Sequence, residues 1–142
     1  MDAPASDAEK YLAVELDEES RKIVRELALY EEIRGDHVTL AYAKNGETFA
    51  HDWIPGNRSI GDSLGFETRG FSVTDEIQVL VVCIDGSTQR PFDNGTLHIT
   101  VSKRAGVPST LANEAILNVT LVPFIRQLKG SIVWLQKGKS GK

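Results

Sequence analysis

Two β-branched, alternating stretches of this chain, His37-Val38-Thr39-Leu40-Ala41-Tyr42 and Thr96-Leu97-His98-Ile99-Thr100-Val101, carry the same tripeptide pattern of histidine, apolar residue and threonine. A period of two is the signature of a strand with one buried face, and β-branched residues suit a pleated, half-buried surface. Strands of one design in each half of a short chain constrain it toward a sheet-rich fold with internal two-fold character.

The remaining segments agree with that frame. Leu12, Val14 and Leu16 alternate with Tyr11, Ala13 and Glu15, which predicts a first strand. Asp17 is placed to cap a helix with Glu18 and Glu19 in its first turn and an apolar stripe of Ile23, Val24, Leu27 and Tyr30, with Gly35 as its stop. From Asn45 to Gly70 the glycines and Pro55 predict a surface excursion, either a lid or a simple connection. Phe71 and Val73 open a short strand, and Ile77 to Ile84 read as a central strand buried on both faces. Asp85-Gly86 and Asn94-Gly95 are turns, Ser109 or Thr110 caps a helix reaching about Leu117, and Ser131 to Leu135 form a last strand. The expected architecture is α+β, two-lobed and pseudo-symmetric, with curved, mainly antiparallel sheets and helices on the outer faces. One domain is expected over residues 11–135, between flexible tails at 1–10 and 136–142.

Composition narrows the function classes. The chain has 142 residues, 41% hydrophobic and 25% charged, enough for one core and unlike disordered, collagen-like or coiled-coil sequences. It has no apolar run of membrane-spanning length, and the acidic start lacks the regions of a signal peptide, so a cytoplasmic or nuclear monomer without membrane partners is expected. Cys83 is the only cysteine, which excludes an internal disulfide and a cysteine-built zinc site. The net charge of −4 is not that of a protein wrapping long nucleic acid, but a small or end-on substrate is allowed. Residues 1–36 hold eleven acidic and five basic side chains and residues 37–142 nine and eleven, so the later part is the better anion host.

In a strand, residues two apart share a face, so His37 projects with Thr39 and His98 with Thr100, while Val38, Leu40, Ile99 and Val101 face the core. If the strands lie side by side, two imidazoles and two hydroxyls meet in one groove. That set fits attack on a phosphodiester without metal or cofactor: one histidine takes a proton from the nucleophile, the other gives one to the leaving oxygen, and the threonines donate to phosphate oxygens.

Paired His-x-Thr motifs on strands of a small two-lobed α+β protein resemble the 2H phosphoesterases, which include LigT-like enzymes and RNA 2′,3′-cyclic phosphodiesterase modules. The resemblance covers Tyr11 to Leu135 in element order, and its identifying residues are His37-Val38-Thr39-Leu40 and His98-Ile99-Thr100-Val101. The spacing and the Gly-rich intervening segment look most like the cyclic phosphodiesterase module of plant and fungal tRNA ligases. The resemblance implies opening of an RNA or nucleotide 2′,3′-cyclic phosphate to a 2′-phosphate in RNA repair or tRNA splicing, within a larger RNA-repair protein. It also implies His37 as the acid for the leaving oxygen and His98 as the base for water. Other members act on cyclic oligonucleotides or ADP-ribose cyclic phosphate, and a nucleotide-binding module without turnover is the rival of another class.

Position alone nominates further residues. Lys103 and Arg104 follow the second motif and are candidate phosphate partners, as is Lys44 at the exit of the first. Trp53 and Phe92, in loops near each motif, are candidates for base stacking. Trp134 is expected in the core, Tyr42 also unless its strand ends in a bulge, and His51 on the surface. Gly138-Lys139-Ser140 fails as a phosphate loop, because Val133 stands where its first glycine is required. The Asn-x-Ser/Thr matches at Asn57, Asn94 and Asn118 mean nothing without secretion. Two histidines without nearby carboxylates or thiolates make a poor zinc site.

Overall fold

The computed structural model describes residues 10–43, 54–90, 95–108 and 122–136. Its elements are β1 (Lys10–Leu16), α1 (Glu18–Arg25), β2 (Glu32–Ile33), β3 (His37–Ala43), a 3-10 turn (Pro55–Asn57), β4 (Ser63–Val73), β5 (Ile77–Cys83), β6 (His98–Lys103), β7 (Val122–Pro123) and β8 (Gln127–Gln136). The expected helix after Ser109, the Asn94 half of the second turn, and Lys44, His51, Trp53 and Phe92 lie outside the described residues.

All the strand pairs are antiparallel, in the order β2-β6-β5-β4-β8-β1-β3, with β7 added to β4. From the β4–β8 pair outward, each side has one inner strand, β5 or β1, and then a His-x-Thr strand, β6 or β3. The sheet curls, because β3 and β6, far apart along this path, lie in contact. Bulges in β3, β4 and β6 sharpen the local twist. Every residue of β5 is buried, as its apolar run predicts for a strand flanked on both sides. One apolar cluster joins Leu12, Val14 and Leu16 of β1 to Val24 of α1, Val38 and Leu40 of β3, Leu80 and Val82 of β5, and Ile99 and Val101 of β6.

Asp17 caps α1 as expected, accepting from the Ser20 N–H at 2.8 Å. The helix is shorter than its apolar stripe, however, and Gly35 is not its stop. Buried Gln78 donates to the Leu27 carbonyl at 2.9 Å and accepts the Leu29 N–H at 3.0 Å, while Ser102 Oγ lies 3.1 Å from the Tyr30 N–H. These side chains take the backbone groups that a further helical turn would use, and the chain leaves as strand β2. Gly35 instead stands between β2 and β3 at φ +78°, where an added Cβ would lie 3.0 Å from Val24 Cγ1.

The expected excursion up to Gly70 is also corrected. Strand β4 already begins at Ser63, with Leu64, Phe66, Thr68 and Gly70 buried in alternation, a period of two that Gly65 and Gly70 hide in the sequence. Asp85-Gly86 makes a turn with both residues at positive φ, closed by reciprocal Ile84–Ser87 hydrogen bonds of 2.9 and 3.1 Å. Trp134 is a further correction. It pairs with Leu12 but sits two residues from the end of β8 and is 42% exposed rather than in the core.

Candidate functional site

The two His-x-Thr strands have one local design. On β3, His37 pairs with Glu15, Val38 with Val14 and Thr39 with Ala13, then Leu40 is skipped and Ala41 pairs with Leu12. On β6, His98 pairs with Val81, Ile99 with Leu80 and Thr100 with Val79, then Val101 is skipped and Ser102 pairs with Gln78. Each strand therefore carries a β-bulge one residue after its threonine. Val38, Leu40, Ile99 and Val101 are buried, whereas His37, Thr39, His98 and Thr100 are partly exposed, the division that parity predicts. The first bulge also sets Tyr42 in register with Tyr11.

The segment entering β3 is tied to β6. Arg34 N–H donates to the Val101 carbonyl at 2.7 Å and Gly35 N–H to the Thr100 carbonyl at 2.9 Å, extending the antiparallel β2–β6 pairing. His37 lies two residues beyond Gly35, and His98 two residues before Thr100, so the antiparallel sense brings both histidines to the same end of this junction.

The imidazoles differ in surroundings. His98 Nδ1 is 2.8 Å from the Thr96 carbonyl oxygen. A carbonyl only accepts, so Nδ1 carries the hydrogen, and in the neutral ring Nε2 is the accepting nitrogen. His37 packs against the Tyr11 ring, with centroids 5.4 Å apart. Burial pushes its basicity below the ordinary imidazole range, and the carboxylates of Asp36 and Glu15 oppose that shift. Thr39 and Thr100 make no side-chain hydrogen bond among the described residues, so both hydroxyls are available to a phosphate oxygen.

The structure engages Lys103 and Arg104 elsewhere. Lys103, near-buried at the far end of β6, sits 2.9 Å from Glu32 Oε1 and donates to the Val107 carbonyl. It holds the Glu32 carboxyl below its usual range. Arg104 lies 4.6 Å over the Tyr30 ring, and its Nε donates to the Asp75 carbonyl at 2.5 Å. They stand five and six residues beyond His98, on the other side of the Val101 bulge.

Glu15 is the residue of this face that sequence reading missed. Alternation puts it on the polar side of β1, but only the β1–β3 register brings it opposite His37. Among the described residues no group of three or more His, Cys, Asp or Glu side chains converges as a metal site, and no helix is long and apolar enough to cross a membrane. No protein-family model, curated protein or solved structure matches the chain.

Proposed function

We propose that this chain is a metal-independent phosphodiesterase of the 2H type that opens a 2′,3′-cyclic phosphate, at an RNA end or on a nucleotide, to a 2′-phosphate. The observation that carries the reading is the pair of His-x-Thr strands, each bulged after its threonine and held in contact. The strand order outward from the β4–β8 pair supports the two-lobed, pseudo-symmetric form of the fold.

In the proposed reaction water attacks phosphorus and its proton passes to Nε2 of His98, oriented by the Thr96 carbonyl. The bond from phosphorus to the 3′ oxygen breaks as His37 gives that oxygen its proton. The product is a 2′-phosphate beside a 3′-hydroxyl, and the histidines exchange protons with solvent before the next turnover. Thr39 and Thr100 donate to the non-bridging oxygens as charge develops there.

The test is incubation, in EDTA, with an RNA oligomer ending in a 2′,3′-cyclic phosphate, beside His37→Ala and His98→Ala. Wild type should open the ring to a 2′-phosphate, and each variant should lose ~100-fold or more in rate, the contribution of one acid or base. An intact cyclic end with wild type would reject the RNA-end reading.

A further inference from the structure

We propose that Glu15 is a positioning residue acting through His37: opposite it across the β1–β3 ladder, its carboxylate supports the imidazolium that protonates the leaving oxygen. The inference deepens, and rests on, the phosphodiesterase reading above.

Directly opposite residues of an antiparallel pair project from one face with Cβ atoms about 4.5–5.5 Å apart, close enough for charge to act between them. Glu15 is that partner of His37. It is exposed and makes no ion pair or side-chain hydrogen bond among the described residues, so its charge is uncompensated there. The other carboxylate near His37 is Asp36, which acts on the ring more strongly than Glu15 does but is also paired with Arg25. From β1 the ring also meets Tyr11, and the titratable group on β6 at this end is His98. Among these groups Glu15 is the unpaired anion.

A partly buried histidine acting as proton donor needs such a partner, because burial favours the neutral ring. A carboxylate beside the proposed phosphate site would otherwise repel substrate, and a role through His37 explains its place opposite that ring. Ala13, opposite Thr39, keeps the next position on this face small.

The experiment is NMR titration of both imidazoles in wild type, Glu15→Gln and Glu15→Asp, with pH profiles of kcat/KM on a 2′,3′-cyclic nucleotide. Glu15→Gln should lower the His37 midpoint by about 0.5 unit, as one exposed, water-screened charge at this separation does, and leave His98 in place. The alkaline limb of the profile should move down equally, a loss of about threefold in kcat/KM at pH 7.5. Glu15→Asp should restore most of both. An unmoved His37 midpoint overturns the proposal, as does movement of the acidic limb instead, which would make His37 the base. A shifted midpoint in a protein that turns over no cyclic phosphate leaves the charge partnership standing and rejects the phosphodiesterase reading alone.

Discussion

Leu40 and Val101 hold equivalent positions: each is the extra residue of a β-bulge directly after a His-x-Thr sequence. In both strands two consecutive side chains are buried as a result, Leu40 with Ala41 and Val101 with Ser102. Without the bulges Ala41 and Ser102 would fall on the histidine face. With them, Ala41 enters the core beside Leu12, and Ser102 reaches the backbone of Leu29 and Tyr30. The two strands are thus re-registered at the same step of the same motif.

Thr39→Val and Thr100→Val test the hydroxyls with minimal change of shape. Valine keeps the β-branch on a partly exposed face, so folding should be unaffected. On the proposed mechanism each variant should lose roughly 10²-fold in kcat, the scale of one lost donor to developing oxyanion charge. Unchanged kcat in both would remove the hydroxyls from the chemistry.

His37 makes stability depend on pH with a definite sign. Its folded basicity is depressed, chiefly by burial, so the fold prefers the neutral ring. That contribution is complete above about pH 6.5, the unfolded value, and is lost as pH falls through the lower folded value. Urea denaturation of wild type and His37→Asn should therefore diverge between pH 7 and pH 5, with wild type losing more stability. Parallel curves would show that burial of this ring is not felt energetically.

Ser102→Ala should destabilise without touching the reaction. Ser102 Oγ accepts from Leu29 and Tyr30 N–H at 3.2 and 3.1 Å and donates to Gln78 Oε1 at 2.6 Å. Leaving buried groups unsatisfied costs about 1–3 kcal/mol. The denaturation midpoint should fall accordingly, while kcat at a temperature where the variant is folded stays that of wild type.

Gly130→Ala is the sharper packing test. A Cβ there would stand 2.2 Å from the Glu15 carbonyl oxygen and 3.0 Å from Val14 Cγ1, so β1 and β8 would have to separate. Overpacking of this kind costs about 3 kcal/mol or more, which for a domain of this size lowers Tm by roughly 10 °C. Glu15 moves with that backbone, so a folded variant should also show a changed His37 titration.

Much of this protein was written in local pattern. Alternation marked β1, β3 and β6, the apolar run marked β5, Asp17 marked the start of α1, and Asp85-Gly86 marked its turn, because each depends on neighbours within a few residues. The faces of His37 with Thr39 and His98 with Thr100 were equally legible from parity. What only the tertiary structure decided involves partners distant in sequence. Gln78 and Ser102 bind the backbone of Leu27, Leu29 and Tyr30 just beyond α1 and so end it early, and the pairing of Ser63–Glu67 with β8 gives the unrecognised first half of β4 its place. Lys103 is adjacent to the motif in sequence yet bound to Glu32, since an ion pair across β2 and β6 outweighs proximity along the chain. The pairing of Glu15 with His37 was beyond local reading for the same reason: alternation assigns a residue to a face, but register, set by the whole sheet and its bulges, decides what it meets there.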